Sequence, residues 1–418
     1  MIRKFARALR TASLSVPLLL AAAQSDAVEI QYWQYVFDAR IKAMDQLIAN
    51  FQQANPDITV TQTTFPYADY QTKVAAAITA GQGPDVVQFY YGWLDNFKTG
   101  QLIQPLSRDA FPHEQIEKEF FPIISAMKAD GEYWGLPTAV RSLALFYNKK
   151  IFQDAGLDPS KPPATLDELL DAAKKTAQHD SGGNITSEGL AVDMGAQDHQ
   201  WWREVLVRQF GGAPYSDDNS KVSYDDDDGL AALKWYTDLT TVHKVGQSGF
   251  MDEAQAAFKA GRAAMVIDGS FRLGSFGEIK DFEWAVAELP EKDGVKSNYV
   301  SYWVNGLAAN TSGEKLAAAE KFLAYVTSPE AMQIWLETVG ELPAKPELAL
   351  TEENIGDPIY GPFLKGLEYG HTTLFIDETA QRQVAIDMVN RIILESQDPK
   401  ASLDQAAAAE QQILDEHM

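Results

Sequence analysis

The chain contains no cysteine in 418 residues, so disulfides, thiolate zinc sites and cysteine nucleophiles are excluded. Basic residues are also scarce: 35 Lys plus Arg stand against 59 Asp plus Glu, a formal net charge of −24. Nucleic-acid binding needs a basic footprint that releases counterions from phosphates, and an acidic membrane surface repels a chain of this charge, so neither is expected as a partner. The six histidines show no metal-ligand spacing, and no cofactor or metal is expected. His113-Glu114-Gln115-Ile116-Glu117 lacks the second zinc histidine, and no G-x-S-x-G, Walker A or dinucleotide fingerprint is present. The acidic run Asp225 to Asp228 is not a calcium loop. With Gly229 at the sixth place of an EF-hand, Tyr224 and Trp235 would fall at the first and twelfth, and neither can ligate. A solvated loop capping the next helix is the better reading.

What is present is an ordinary globular balance, 45% hydrophobic, over a length that suggests two or three domains at ~100–200 residues each. Arg3, Lys4, Arg7 and Arg10 precede an apolar run from Leu14 to Ala23 that falls short of the ~20 residues a membrane helix needs. Small residues follow at Ser25 and Ala27, so residues 1–27 read as a secretory signal cleaved after Ala27, with Ala23 as the other option. Its removal leaves 31 basic and 58 acidic residues, a net charge of −27. With no cysteine after the apolar run there is no lipid anchor, and a soluble exported protein of the periplasm is expected.

The remaining chain alternates strand and helix. Glu29 to Tyr35 has a strand pattern, and Ile41, Met44, Leu47, Ile48 and Phe51 then recur at helical spacing up to Asn55-Pro56. A strand at Ile58 to Thr63, a helix through Val74 to Ile78 and a strand at Val86 to Tyr90 complete βαβ units of a mostly parallel sheet, whose ligands sit beyond the strands' carboxyl ends. Leu143 to Tyr147 is a further strand. Thr165-Leu166-Asp167-Glu168 is a capping box opening a helix to about Gln178. Ser328-Pro329-Glu330 opens another that ends at Gly340, and Ala401 to Met418 reads as a terminal surface helix weakly anchored by Leu403 and Ile413.

In order, the chain carries Gly81-Gln82-Gly83-Pro84-Asp85, Gly131-Glu132-Tyr133-Trp134-Gly135-Leu136-Pro137, Leu145-Phe146-Tyr147-Asn148-Lys149, Phe258-Lys259-Ala260-Gly261-Arg262-Ala263-Ala264-Met265 and Leu342-Pro343-Ala344. This series resembles the extracellular solute-binding proteins of sugar ABC transporters, the group that includes maltose-binding protein. The resemblance implies a two-lobed α/β clamshell of the type II periplasmic binding-protein kind, with mostly parallel sheets and a multi-strand hinge, presenting its ligand to an inner-membrane permease. By the same layout one lobe holds residues 28–139 and 301–348 and the other 140–300 and 349–418, with hinge crossings near Val140, Tyr302 and Leu348. Nothing further is expected as a partner, and the state expected is a monomer.

Sugar rings offer apolar C–H faces to aromatics and hydroxyls to planar polar groups, so both kinds at loop entries are ligand candidates. Gln34 and Tyr35 end the first strand, Tyr91 and Trp93 follow the third, and Asp69 lies near a helix start; Tyr32, Trp33 and Tyr90 are as well explained by core packing. The resemblance places Arg141 at the cleft mouth, where maltose-binding protein carries an acid. There its guanidinium holds vicinal hydroxyls or an anion, or else forms a salt bridge. The resemblance also puts His199 and Trp201 in the second lobe's half of the cleft, and since adjacent tryptophans cannot share one helix face, one of Trp201 and Trp202 is core. Asp268, Ser270, Phe271 and Arg272 follow a strand at Ala264 to Ile267. Trp303 and Asn305 sit at a crossing, and His371 is a weaker candidate. These residues predict a non-enzymatic carbohydrate carrier. The alternatives are the same scaffold binding a sugar acid, sulfonate or phosphate ester through Arg141, with Arg272 beside it, and a secreted glycoside hydrolase. A hydrolase requires two carboxylates across the cleft, where the candidates are mainly Asp268 and Asp69.

Overall fold

The computed structural model describes residues 27–193 and 200–417, so residues 1–26 of the expected signal and His199 lie outside the described residues. The opening alternation forms strand β1 (Val28–Tyr35), which pairs in parallel with β2 (Ile58–Phe65) and β3 (Val86–Tyr90). The crossovers that such pairing demands are α1 (Asp38–Ala54), which buries Met44, Leu47, Ile48 and Phe51, and α2 (Tyr67–Thr79), which buries Tyr70, Val74 and Ile78.

Five later strands carry the rest of the argument: β4 (Leu136–Asn148), β5 (Ile185–Ala191), β6 (Ala263–Gly269), β7 (Asn298–Ala308) and β8 (Leu342–Pro343). β5 and β6 pair in parallel. The centre of the sheet departs from a mostly parallel arrangement. β4 and β7 run antiparallel with Val140 opposite Tyr302, β7 is antiparallel to β3, and β4 is antiparallel to β6 and β8. The physical reason is that β4 and β7 each traverse both ends of the sheet, and a chain that crosses and later returns must reverse direction. Side chains alternate along β4, so Leu143, Leu145 and Tyr147 join one hydrophobic cluster while Ala144 and Phe146 join the other.

The helix punctuation follows the sequence. α3 (Leu166–Thr176) opens on a complete capping box, with Thr165 Oγ1 accepting from the Glu168 N–H at 3.2 Å and Glu168 Oε2 from the Thr165 N–H at 3.3 Å. Asp226 of the acidic run caps α4 (Asp227–Thr241) by accepting from the Gly229 N–H. α5 (Pro329–Val339) ends at Gly340, whose φ of 80° is the left-handed conformation glycine adopts without strain. The last two helices, α6 (Glu378–Ile393) and α7 (Pro399–His417), pack on each other. Here the structure sharpens the sequence: α7 is a surface helix with Asp404, Gln405 and Gln412 exposed, but its inner face is more than weakly anchored. It buries Leu403, Ala406 and Leu414, and sinks Glu410 into a core site beside Arg203.

Glu188 on β5 is a second buried acid. Its Oε1 accepts from the Gln247 N–H at 2.8 Å, while Oε2 is buried with no hydrogen-bond partner among the described residues. Burial pushes the carboxyl up to about 8 from the usual 4.5, the Gln247 N–H opposing and Asp193 adding to the rise. The folded state therefore holds a proton that the unfolded chain releases above pH ~4.5, and stability from this group is present at low pH and lost as pH rises toward 8. Glu188→Gln is expected to flatten that dependence, raising stability at pH 8 by roughly 2–4 kcal/mol relative to its effect at pH 4. Urea midpoints of both proteins at the two pH values measure this, and equal shifts at both would mean Glu188 is ionised in the fold.

Candidate functional site

The carboxyl ends of β1 and β3 deliver Tyr35 and Tyr90 to one side of a cleft of about 210 Å³. Trp303 supplies the floor, its ring centre 4.4 Å from that of Tyr35 and 5.7 Å from that of Tyr90, and Tyr67 at the start of α2 meets it edge-on at 6.2 Å. Tyr299 and Ser301 line the same cleft because they lie four and two residues before Trp303 on β7 and share its face. Phe271, Phe375, Glu378 and Arg382 complete the lining.

Arg141 projects from β4 into this cleft and is also ion-paired. Its Nε and Nη2 lie 2.6 and 2.5 Å from Glu341 Oε1, while its guanidinium sits 4.8 Å from the centre of the Phe271 ring. Glu341, the residue before β8, accepts from Arg40 Nη2 at 2.5 Å and from the Trp335 indole at 2.8 Å as well. Arg40 in turn donates to the Tyr35 hydroxyl at 2.8 Å. Two guanidinium groups thus share one buried carboxylate, and three charges sum to one positive charge against the aromatic wall. Across the cleft Arg382 pairs with Glu378 one helical turn away. Burial raises the Glu378 carboxyl above its ordinary range, Arg382 pulls it back and Asp377 adds to the rise. Burial pushes the Tyr35 hydroxyl up to about 12 despite Arg141 beside it, so it is a neutral donor at any physiological pH. The cleft offers apolar ring faces, hydroxyls and planar forks of donors, and among the described residues no group of His, Asp and Glu is placed to hold a metal.

A family profile described as bacterial extracellular solute-binding protein matches residues 46–361. The chain belongs to this family. Two relatives are a maltotriose-binding protein of Pyrococcus abyssi, 24% identical over 84% of this chain and 74% of its own, and the sn-glycerol-3-phosphate-binding periplasmic protein UgpB of Escherichia coli K12, 25% identical over 82% and 80%. Among solved structures, the cyclic α-maltosyl-1,6-maltose binding protein of Arthrobacter globiformis superimposes with a TM-score of 0.81 at 21% identity, covering 93% of this chain and all of that one. UgpB of Mycobacterium tuberculosis with glycerophosphocholine gives 0.78 at 18%, over 93% and 99%. These likenesses establish the two-lobed α/β fold.

The residues singled out in this solute-binding protein from its sequence divide sharply. Tyr35, Arg141, Phe271 and Trp303 line the cleft together. Tyr91 and Trp93 lie one layer behind it: Tyr91 stacks on Tyr302 and Trp93 packs edge-on against Trp303 at 5.1 Å. Gln34 points the opposite way from Tyr35, as neighbours on a strand must, and bonds Gln62 in the core. Asp69 is exposed in the first turn of α2, away from the cleft lining. Trp201 and Trp202 are both core, packed on Tyr236 and Tyr224, because a π-helical turn over Trp201–Leu206 sits wholly inside the fold. Asp268 is buried and turned inward to Arg272 Nε at 2.8 Å and the Gly269 N–H at 2.7 Å, while Ser270 is fully buried. Arg272 flanks Phe271 at 5.1 Å without lining the cleft. Asn305 bonds Tyr32 and Thr138 inside the sheet. His371 pairs with Tyr299 through its backbone on a short strand outside the lining, and burial lowers its imidazole to about 4, Arg208 adding to the effect.

Sequence reasoning missed Gln200, Tyr299, Ser301, Phe375, Glu378 and Arg382 as cleft residues, and Arg40 and Glu341 as their support. Some of these carried a signal. Glu378 and Arg382 stand at i and i+4 in the first turn of a helix capped by Asp377, and Tyr299, Ser301 and Trp303 keep strand alternation. Nothing in the sequence joins Glu341 to Arg40 or Arg141, which are 301 and 200 residues away.

Proposed function

We propose that this solute-binding protein captures a sugar or short oligosaccharide between its two lobes in the periplasm and hands it to an inner-membrane ABC permease, without catalysis. Residues 28–139 with 301–348 form one lobe and 140–300 with 349–418 the other. The hinge runs through the paired residues Val140 and Tyr302 and through Leu348, after export on a signal cleaved following Ala27. Closure about a few such positions buries a ligand without breaking either core. The observation that carries the reading is the cleft chemistry: Tyr35, Tyr90, Trp303 and Phe375 present ring faces for the apolar side of a sugar, while Arg141, Arg382 and Glu378 present planar groups for its hydroxyls. Hydrolysis is the weaker assignment because Glu378 is the one carboxylate in the lining among the described residues, and a glycosidase needs two.

One observation favours an anionic sugar derivative as a second reading, namely the two guanidinium groups that share the Glu341 carboxylate. Thermal-shift measurements over neutral oligosaccharides, sugar acids and sugar phosphates decide between them. A ligand at a hundred times its dissociation constant stabilises the fold by about 2.7 kcal/mol. Arg141→Ala leaves Glu341 paired with Arg40, so the fold survives. Loss of an anionic ligand with only modest weakening of a neutral sugar assigns Arg141 to an anionic group. If no carbohydrate shifts the melting temperature while an amino acid, polyamine or metal does, the sugar reading is wrong.

A further inference from the structure

The cleft does not end at its far wall. Phe375 also lines a second hollow of about 190 Å³, bounded by Tyr91, Leu94, Lys98, Ala126 and Lys128. The Phe375 ring lies 6.1 Å from Tyr90 on the cleft side and 5.6 Å from Tyr91 on the other. It rests on the backbone of Gly92, where a Cβ would come within 2.6 Å of Phe375 Cδ2. Phe375 is thus the one residue that lines both hollows among the described residues, its ring set between consecutive tyrosines of β3 and the turn after it.

That ring is held in place by its backbone. The buried Gln381 donates from Nε2 to the Leu374 carbonyl at 2.9 Å and accepts through Oε1 from the Ile376 N–H at 2.8 Å, clamping the residues on either side of Phe375. Two residues earlier, the Thr373 N–H donates to the Tyr91 hydroxyl at 3.2 Å, tying the segment to the opposite wall. Phe375 is thus free only in its side-chain torsions. The second hollow has the mix a sugar ring requires. Leu94 and Ala126 supply apolar surface, and Lys98 and Lys128, each ion-paired to an acid outside the hollow, supply donors.

We infer that the two hollows are subsites of one saccharide groove and that Phe375 is the partition that sets how long a ligand it accepts. This rests on the carbohydrate reading above and names the residue that limits chain length within it. In the native protein an oligosaccharide fills the cleft and gains nothing from further units; with the ring removed, an added unit enters beside Tyr91.

Isothermal titration of linear gluco-oligosaccharides of increasing length against wild type, Phe375→Ala and Phe375→Ala/Ala126→Trp tests this. Wild-type affinity is expected to level off at the length that fills the cleft. Phe375→Ala is expected to weaken the shortest bound member through loss of its ring face while longer members gain the second hollow, so that the ratio of long to short affinity rises about tenfold or more over that of wild type. The added indole at Ala126 is expected to erase that gain and leave short ligands as in the single variant. Affinities that fall or stay level in parallel at every length in Phe375→Ala would overturn the partition while leaving the carbohydrate reading intact. Failure of wild type to bind any member would overturn the groove as a site for such chains, while the sugar reading of the cleft stands or falls by the thermal-shift screen. Phe375 is half-buried, and Phe375→Leu, which keeps apolar volume at a reduced reach, gives the same ordering at smaller amplitude if the alanine variant is unstable.

Discussion

Glu341→Ala is expected to lower the unfolding free energy by about 3–5 kcal/mol and to weaken ligand binding in the same protein, abolishing it where the ligand is anionic. Arg40, 1% exposed, would be left with an uncompensated buried charge, and the Trp335 indole would lose its acceptor. Removing one member of a buried ion cluster costs far more than the net worth of the cluster, because the desolvation of the remaining charge is no longer offset. Binding weakens for a geometric reason: Arg141 is positioned over Phe271 by a hydrogen bond from Nε and an ion-pair contact from Nη2 to the same oxygen of Glu341. Glu341→Gln, which keeps an acceptor and loses the charge, should fall between the two. The urea midpoint and the affinity for whichever ligand stabilises the native protein measure the two effects separately. A wild-type midpoint in Glu341→Ala would show that water reaches Arg40.

The second large effect is expected at the other end of the molecule. Glu410 of α7 is wholly buried, 3.0 Å from Arg203 Nη2, and also accepts from the hydroxyls of Tyr224 and Tyr215 at 2.6 and 2.5 Å. Gln381 Nε2 completes the set at 3.0 Å. Glu410→Ala strips four donors of their acceptor and leaves Arg203 charged in the core, a loss of about 3–5 kcal/mol. It should loosen the cleft as well, since Gln381 clamps the Phe375 segment and lies on α6 between Glu378 and Arg382. Lower stability with weakened ligand affinity is the expected pair of results. An unchanged urea midpoint would mean that α7 is not docked through Glu410 in solution.

Local structure was legible wherever a short-range rule applied. The capping box at Thr165, the Ser328-Pro329 start and Gly340 stop of α5, and the alternation of β1 each involve residues within one turn or one strand, and the structure follows them. Parallel pairing of β1 with β2 and β3 was legible too, because the helical segments between them leave no other short connection. How deeply the inner face of the terminal helix is docked was missed for the opposite reason. Its composition is polar and its apolar anchors are sparse, so only the presence of Arg203, some two hundred residues earlier in the chain, reveals that Glu410 faces inward.

The same division runs through the site. Composition and residue order excluded cysteine chemistry, argued against nucleic-acid partners, and marked Tyr35 and Phe271 as candidates at strand ends, while the family resemblance marked Arg141 and the crossing that carries Trp303. Which face each neighbour presents depends on strand phase, and a shift of one residue reverses it. That is why Gln34, Asn305 and Asp268 proved to be core groups while Tyr90, Ser301 and Tyr299 line the cleft. The tertiary structure alone decided how the cleft is charged. Arg40, Arg141 and Glu341 meet only where α1, β4 and the approach to β8 converge, and their sum of one positive charge sits inside a chain whose overall charge is −24. Net charge is additive along a sequence, whereas the field in a cleft depends on which few charges are buried together, and that is set by packing.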